Sequence, residues 1–224
     1  MPNALVFPIL IPFATAAVSL LFWRRPSAQQ VTSFCGAGAH LIACSFVLVQ
    51  VLNQGILVLE VGAWPAPFGI SLVADRLSAL MLIITAVLGT ATAVYARGEL
   101  DKRLRAHGFH TLFHVLLGGL SGAFLTGDLF NLYVWFEVML MASFVLMALG
   151  GDRPQIEGAV KYLTLNFIAS LFFLAAIGIL YGKTGTLNMA DLANRVTMIG
   201  PEETVGIRVA SVLLLLVFAI KAAV

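Results

Sequence analysis

Apolar positions in this chain follow neither a helical nor a strand period. They run almost unbroken for long stretches, and polar residues collect between the runs. A hydrocarbon layer of about 30 Å takes roughly 20 helical residues, so each run reads as a membrane span. Seven spans are predicted, over 3–23, 31–53, 75–96, 110–127, 129–149, 159–182 and 206–224. Barrel strands would alternate apolar and polar residues over about ten positions, whereas these runs are apolar on every face. The expected fold class is all-α, a polytopic transmembrane helix bundle.

Composition agrees: 60% hydrophobic residues, 11% charged and a mean hydropathy of +0.99 lie outside the range of soluble globular chains. The first run, in MPNALVFPILIPF, has no basic residue before it, and Arg24 and Arg25 follow it. That order predicts a retained helix instead of a cleaved secretory signal. Pro8 and Pro12 would kink a soluble helix, but neighbouring spans can satisfy the freed carbonyls in a membrane bundle.

Arg24, Arg25, Arg97, Lys102, Arg103, Arg105 and Arg153 fall in odd-numbered loops, and Arg76, Lys183, Arg195 and Arg208 in even ones. Basic residues favour cytoplasmic loops, so the N-terminus is expected outside. The net charge of +2 comes from these scattered residues and forms no basic stripe, which excludes a nucleic-acid partner. The polar third loop, RGELDKRLRAHGFH, suits either a solvated turn or a contact with a partner subunit.

Cys35 and Cys44 share the second span, about 13 Å of helical rise apart, too far for a disulfide. His40 lies between them without the clustered spacing of a metal site, so no metal is expected. No phosphate loop, nucleophile elbow or metalloprotease motif occurs. Gly118, Gly119 and Gly122 in the fourth span read as close helix contacts.

The candidate chemistry is therefore ionisable groups at membrane depth. Glu137 is the ninth residue of its apolar run, roughly 12 Å from the run's start. Burial there penalises its charged form unless a cation or hydrogen-bond donors stabilise it, and a carboxyl balanced between those states can take up and release a proton. Lys221 lies deep in the last run, where position alone allows either a buried cation or one that snorkels to the boundary. Glu157 and Lys161 stand four apart, which fits a surface ion pair or a relay at the cytoplasmic side. His107, His110 and His114 flank the start of the fourth span, with His110 and His114 on one face. There they can shuttle protons or serve as polar anchors at the interface. Asp128 is placed to cap the fifth helix, and Asp75 and Arg76 mark an outer boundary.

Two segments, GDLFNLYVWFEVMLMASFVLMALGG and QIEGAVKYLTLNFIASLFFLAAIGILYGKTGTLNMADLA, closely resemble the D subunits of Mrp-type (Mnh) multisubunit Na+/H+ antiporters. Those are relatives of the antiporter-like, proton-translocating membrane subunits of respiratory complex I. The opening LVFPILIPFATAAVSLLF and the closing FAIKAAV are similar to their family counterparts too. The resemblance implies that Glu137 and Lys221 form a charged pair in a proton pathway, with Lys161 as a channel-facing basic residue; Glu157 and, from their position, His110 and His114 are candidate accessory groups. It implies about fourteen helices in two inverted halves. The chain, with no internal repeat, then reads as the first of these. On that footing residues 1–127 hold helices 1 to 4, and 128–224 begin the proton-conducting core.

The implied function is a membrane subunit of a monovalent cation/proton antiporter, an ion transporter and not an enzyme, with no bound cofactor. Its expected partners are other subunits of a hetero-oligomeric complex, the lipid bilayer, protons and Na+, with Li+ or K+ open. A proton-pumping subunit of an NADH:quinone oxidoreductase or membrane-bound hydrogenase would use the same pair. A structural or inactive fragment is a third reading.

Overall fold

The structure is a computed structural model describing residues 2–99, 104, 107–198, 200 and 204–222. A 3-10 turn, Pro2–Val6, leads into α1 (Phe7–Leu21), followed by α2 (Pro26–Gln54) and α3 (Arg76–Glu99). Then come α4 (Phe109–Leu125), α5 (Leu129–Ala148), α6 (Arg153–Thr184), α7 (Met189–Met198) and α8 (Thr204–Lys221). Among the described residues six helical segments are long and apolar enough to cross a membrane, and α4, with 17 residues, is a shorter apolar helix at the expected fourth span. The chain is a multi-pass helical membrane protein. Lys102, Arg103 and Arg105, used above for orientation, lie outside the described residues.

Two helices begin before their apolar runs. Pro26 opens α2 and Pro154 stands in the first turn of α6, positions where a missing N–H costs nothing and the fixed φ suits a helix. Polar turns thus extend α6 to 32 residues, roughly 48 Å, longer than a hydrocarbon layer.

Two elements depart from the seven-span expectation. Between α2 and α3 lies an antiparallel hairpin of β1 (Leu57–Glu60) and β2 (Ser71–Ala74), with Leu57 opposite Ala74 and Glu60 opposite Ser71. The strands are four residues each and too short to register against the apolar runs around them. They cover the end of a core formed by Leu5, Ile9, Val47, Val51, Leu82 and Leu125, to which Leu57, Leu72 and Ala74 add. Helix α7, MADLANRVTM, is amphipathic and too polar to span; it buries Leu192 and pairs Asp191 with Arg195 on its exposed side.

Helices α1 to α4 pack on one another, α5 joins α4 to α6, and α6 lies along α8. The glycines of α4 allow this closeness. A Cβ at Gly122 would lie 2.3 Å from the Trp135 indole, and one at Gly119 2.8 Å from Met139, so α5 could not otherwise approach. A second core surrounds Phe173, Ile177 and Val217 between α5, α6 and α8.

The turn between α4 and α5 ties the two cores together. Asp128 caps α5 by accepting the Asn131 N–H at 2.9 Å, as its position suggested. The Gly127 N–H donates to Ser71 of β2, while Leu129 donates to Leu187 and Met189 to Gly127, and Asn188 donates to the Ser71 hydroxyl. Burial raises the Asp128 carboxyl above the usual carboxylate range, against the opposing pull of the Asn131 N–H.

Candidate functional site

Glu137 projects from α5 toward α6, where the Ser170 hydroxyl donates to its Oε1. One donor side chain thus reaches the carboxylate from the neighbouring helix, at mid-membrane depth. On its other side Glu137 borders an apolar groove with Phe13, Leu112, Val115 and Met141. Tyr133, one turn earlier on α5, packs edge-on against Phe173.

Lys221 ends α8, half-buried, with Nζ 4.9 Å from the centre of the Phe136 ring. An ammonium over an aromatic face is attracted to the ring quadrupole. No ion pair joins Glu137 to Lys221 in this structure. Phe136, the residue before Glu137, holds the cation instead of the carboxylate itself.

Beside Lys221 is a cavity of about 230 Å³ whose lining includes Phe136, Leu140, Ser143, Tyr162 and Asn166. Tyr162 and Ser143 share a hydrogen bond of 2.9 Å between their hydroxyls. Tyr162, Asn166 and Ser170 recur every fourth residue along α6, a polar stripe that the reading by apolar runs passed over. The signal was present, since small polar residues at i, i+4 and i+8 within an apolar run share one helix face.

The remaining sequence candidates fall elsewhere. Lys161 pairs with Glu157 at 2.7 Å, with their side chains 72% and 62% exposed, which is the surface pair their spacing allowed. Neither lines the cavity beside Lys221. His110 and His114, expected as interfacial groups, are instead fully buried between α4 and its neighbours. His114 Nε2 lies 3.0 Å from the Ser33 hydroxyl and 3.1 Å from its carbonyl. One face further along, His40 Nε2 meets the Ser121 hydroxyl at 2.9 Å and the Cys44 thiol at 3.4 Å. Pro12 leaves the Pro8 carbonyl without its helical donor. This histidine seam joins α2 to α4. Glu137, Ser170 and Lys221 belong to the α5, α6 and α8 side.

These features define a class: a polytopic helical membrane protein with a carboxylate and a lysine within its apolar helices, the lysine beside a cavity of mixed polar and apolar lining. Comparison with known proteins refines it. Residues 126–224 match the family described as NADH:quinone oxidoreductase/Mrp antiporter, transmembrane region. Over 99% of its length the chain is 42% identical to the D subunit of the Na(+)/H(+) antiporter of Alkalihalophilus pseudofirmus, of which it covers 44%. Among solved structures it matches a chain of the Mrp complex from Dietzia at 31% identity and a TM-score of 0.87, covering 100% of this chain and 42% of that one. It matches a chain of the archaeal membrane-bound sulfane sulfur reductase at 27% identity and a TM-score of 0.90, covering 98% of this chain and 44% of that one. The chain thus spans less than half the length of the relatives it matches.

Proposed function

We propose that this chain is part of a membrane subunit of a multisubunit monovalent cation/proton antiporter, with residues 128–224 opening its proton-conducting core. The observation that carries the reading is Glu137 in the middle of α5, held by the Ser170 hydroxyl and next in sequence to the Phe136 ring on which Lys221 rests. In this reading Glu137 binds and releases the transported proton. Lys221 stabilises the carboxylate when near and withdraws that support when α8 shifts. A tenfold change in proton affinity needs only about 1.4 kcal/mol, less than the roughly 2.3 kcal/mol per charge that 100 mV across the membrane supplies. Small helix movements therefore suffice to couple proton flow to cation exchange. The Ser170 donor and the Phe136 ring hold the two charges apart at rest, which leaves the carboxylate free to exchange its proton. The N-terminus lies outside and the odd loops face the cytoplasm, in a cell membrane, with Na+ the leading cation.

The matched family description also names NADH:quinone oxidoreductase, and the sulfane sulfur reductase chain shares the fold closely. A redox-driven proton pump is accordingly the second reading, and the same residues serve it. Neighbouring genes for small antiporter subunits support the first, and genes for quinone-reductase subunits the second. The site is tested by Na+/H+ exchange in vesicles holding the full complex with Glu137→Gln. Exchange falls to background if the carboxyl carries the proton; wild-type exchange in that variant overturns the assignment.

A further inference from the structure

We propose that the turn joining α1 to α2 binds the phosphoryl head of an anionic phospholipid, with Arg24 and Arg25 as its cationic clamp and Trp23 as its anchor at the interface. The sequence puts Trp23, Arg24 and Arg25 directly after the apolar run of α1. An aromatic ring and two guanidinium groups thus arrive together where a span leaves the hydrocarbon layer. The backbone fixes them in a tight turn: the Trp23 N–H donates to the Leu20 carbonyl at 3.1 Å, and the Arg25 N–H to the Phe22 carbonyl at 2.8 Å. Residues 21–25 line a groove of about 390 Å³. Its wall continues onto the flank of α1, where Leu21 is 83% and Leu20 50% exposed. An occupant that matches this groove has an anionic head and apolar chains.

The charge at the turn is uncompensated. Among the described residues no ion pair engages Arg24 or Arg25. Arg97, in the last turn of α3, instead lies over the Phe34 ring, 5.0 Å from its centre. Two helix starts reinforce the positive field. Arg25 is the N-cap of α2 and Gly108 that of α4; neither start has a side-chain cap, and neither carries an acid in its first turn. A Cβ at Gly108 would lie 2.9 Å from the Trp23 ring, so the start of α4 packs directly against this tryptophan. The N–H groups of a helix start lack intrahelical partners and carry partial positive charge, which adds to that of the guanidiniums. A guanidinium can also take two phosphoryl oxygens at once. A free phosphate would satisfy the arginines and leave Leu20 and Leu21 without a partner, whereas a diacyl phospholipid satisfies both. On the proposed topology this lipid sits in the cytoplasmic leaflet.

The test uses the full complex, free of other reactive cysteines, with Leu21→Cys carrying a thiol-linked fluorophore in vesicles of phosphatidylcholine. Nitroxide-labelled phosphatidylglycerol or nitroxide-labelled phosphatidylcholine is added at the same mole fraction, and quenching is compared. Phosphatidylglycerol should quench about threefold or more strongly, because basic residues at a membrane surface enrich anionic lipid around them. Equal quenching by the two lipids, or none by either, overturns the site. In Arg24→Gln/Arg25→Gln the excess should vanish while quenching by phosphatidylcholine stays as it was, which shows that the label still faces lipid. A retained excess, or altered quenching by phosphatidylcholine, overturns the assignment to the arginines. Inorganic phosphate, set against chloride at equal ionic strength, should leave the excess unchanged; its loss would make free phosphate the occupant and overturn the lipid. Quenching needs no ion exchange, so the result is independent of the Glu137 assignment.

Discussion

Two sets of polar side chains lie at membrane depth in this molecule. The seam between α2 and α4 pairs His40 and His114 with Ser121 and Ser33, all of them buried, against the apolar surfaces of Ala37, Phe113 and Leu117. The cleft between α5, α6 and α8 leaves Glu137 and Lys221 only half-buried, Lys221 beside a cavity and Glu137 beside an apolar groove, with no ion pair between them. A polar pair that fills its space joins helices; a polar group with room beside it can move, hydrate and change protonation. On the proposed function, that difference makes the cleft, and not the richer collection of histidines, the working site.

The largest expected effect tests how the cleft is built. Phe173 is fully buried and packs against Tyr133, Phe136 and Phe218, so Phe173→Ala should cost about 3–5 kcal/mol, read as lowered thermal stability in detergent. The contrast itself is sharpened by Glu137→Gln against His114→Gln in one exchange assay. The first should lose about 100-fold or more of the rate and the second stay within about twofold. Equal losses would erase the distinction between the two regions. On the boundary, Gly122→Leu forces a side chain into the Trp135 indole and should destabilise the α4 to α5 contact by about 1–3 kcal/mol, seen as weaker resistance to denaturing detergent.

In the seam, Ser33→Ala should cost about 0.6 kcal/mol with exchange unchanged, since hydrogen bonds between membrane helices are individually weak. The smallest effect lies outside both regions. Asp75 accepts the Ser78 N–H at 2.7 Å, which holds its carboxyl below the ordinary range. Its stabilisation is therefore full above the unfolded carboxylate value and is lost as pH falls through the lowered one. Asp75→Asn should flatten that acid-side slope in a stability titration, by no more than a few tenths of a kcal/mol.

Much of the fold was legible because a bilayer imposes a length. Each apolar run had to become a helix, and the observed spans follow the expected ones apart from the earlier starts at Pro26 and Arg153. The hairpin and α7 escaped because short amphipathic elements carry no such signal. Within the proposed site, Glu137 stood out on energetic grounds alone, while Lys221 needed the resemblance to be chosen. Ser170, Tyr162 and Asn166 were overlooked, since residues this mildly polar are common in membrane helices. His110 and His114 were placed at an interface by their position near the start of a run, and the packing of α4 against its neighbours put them inside instead.

By itself the sequence determined the class of molecule, the helices, the cap at Asp128 and the one carboxylate in an apolar run. These follow from local cost: desolvation, helix length and orphaned backbone groups depend on residues near one another in the chain. Only the tertiary structure decided that Lys221 rests on Phe136 and not on Glu137, that Ser170 holds the carboxylate, and that the histidines fill a seam. Those contacts join residues up to 85 positions apart, as between Phe136 and Lys221. Which of the equally apolar helix faces meet is settled by glycine clearances and side-chain fit, not by hydrophobicity, which is nearly the same on every face.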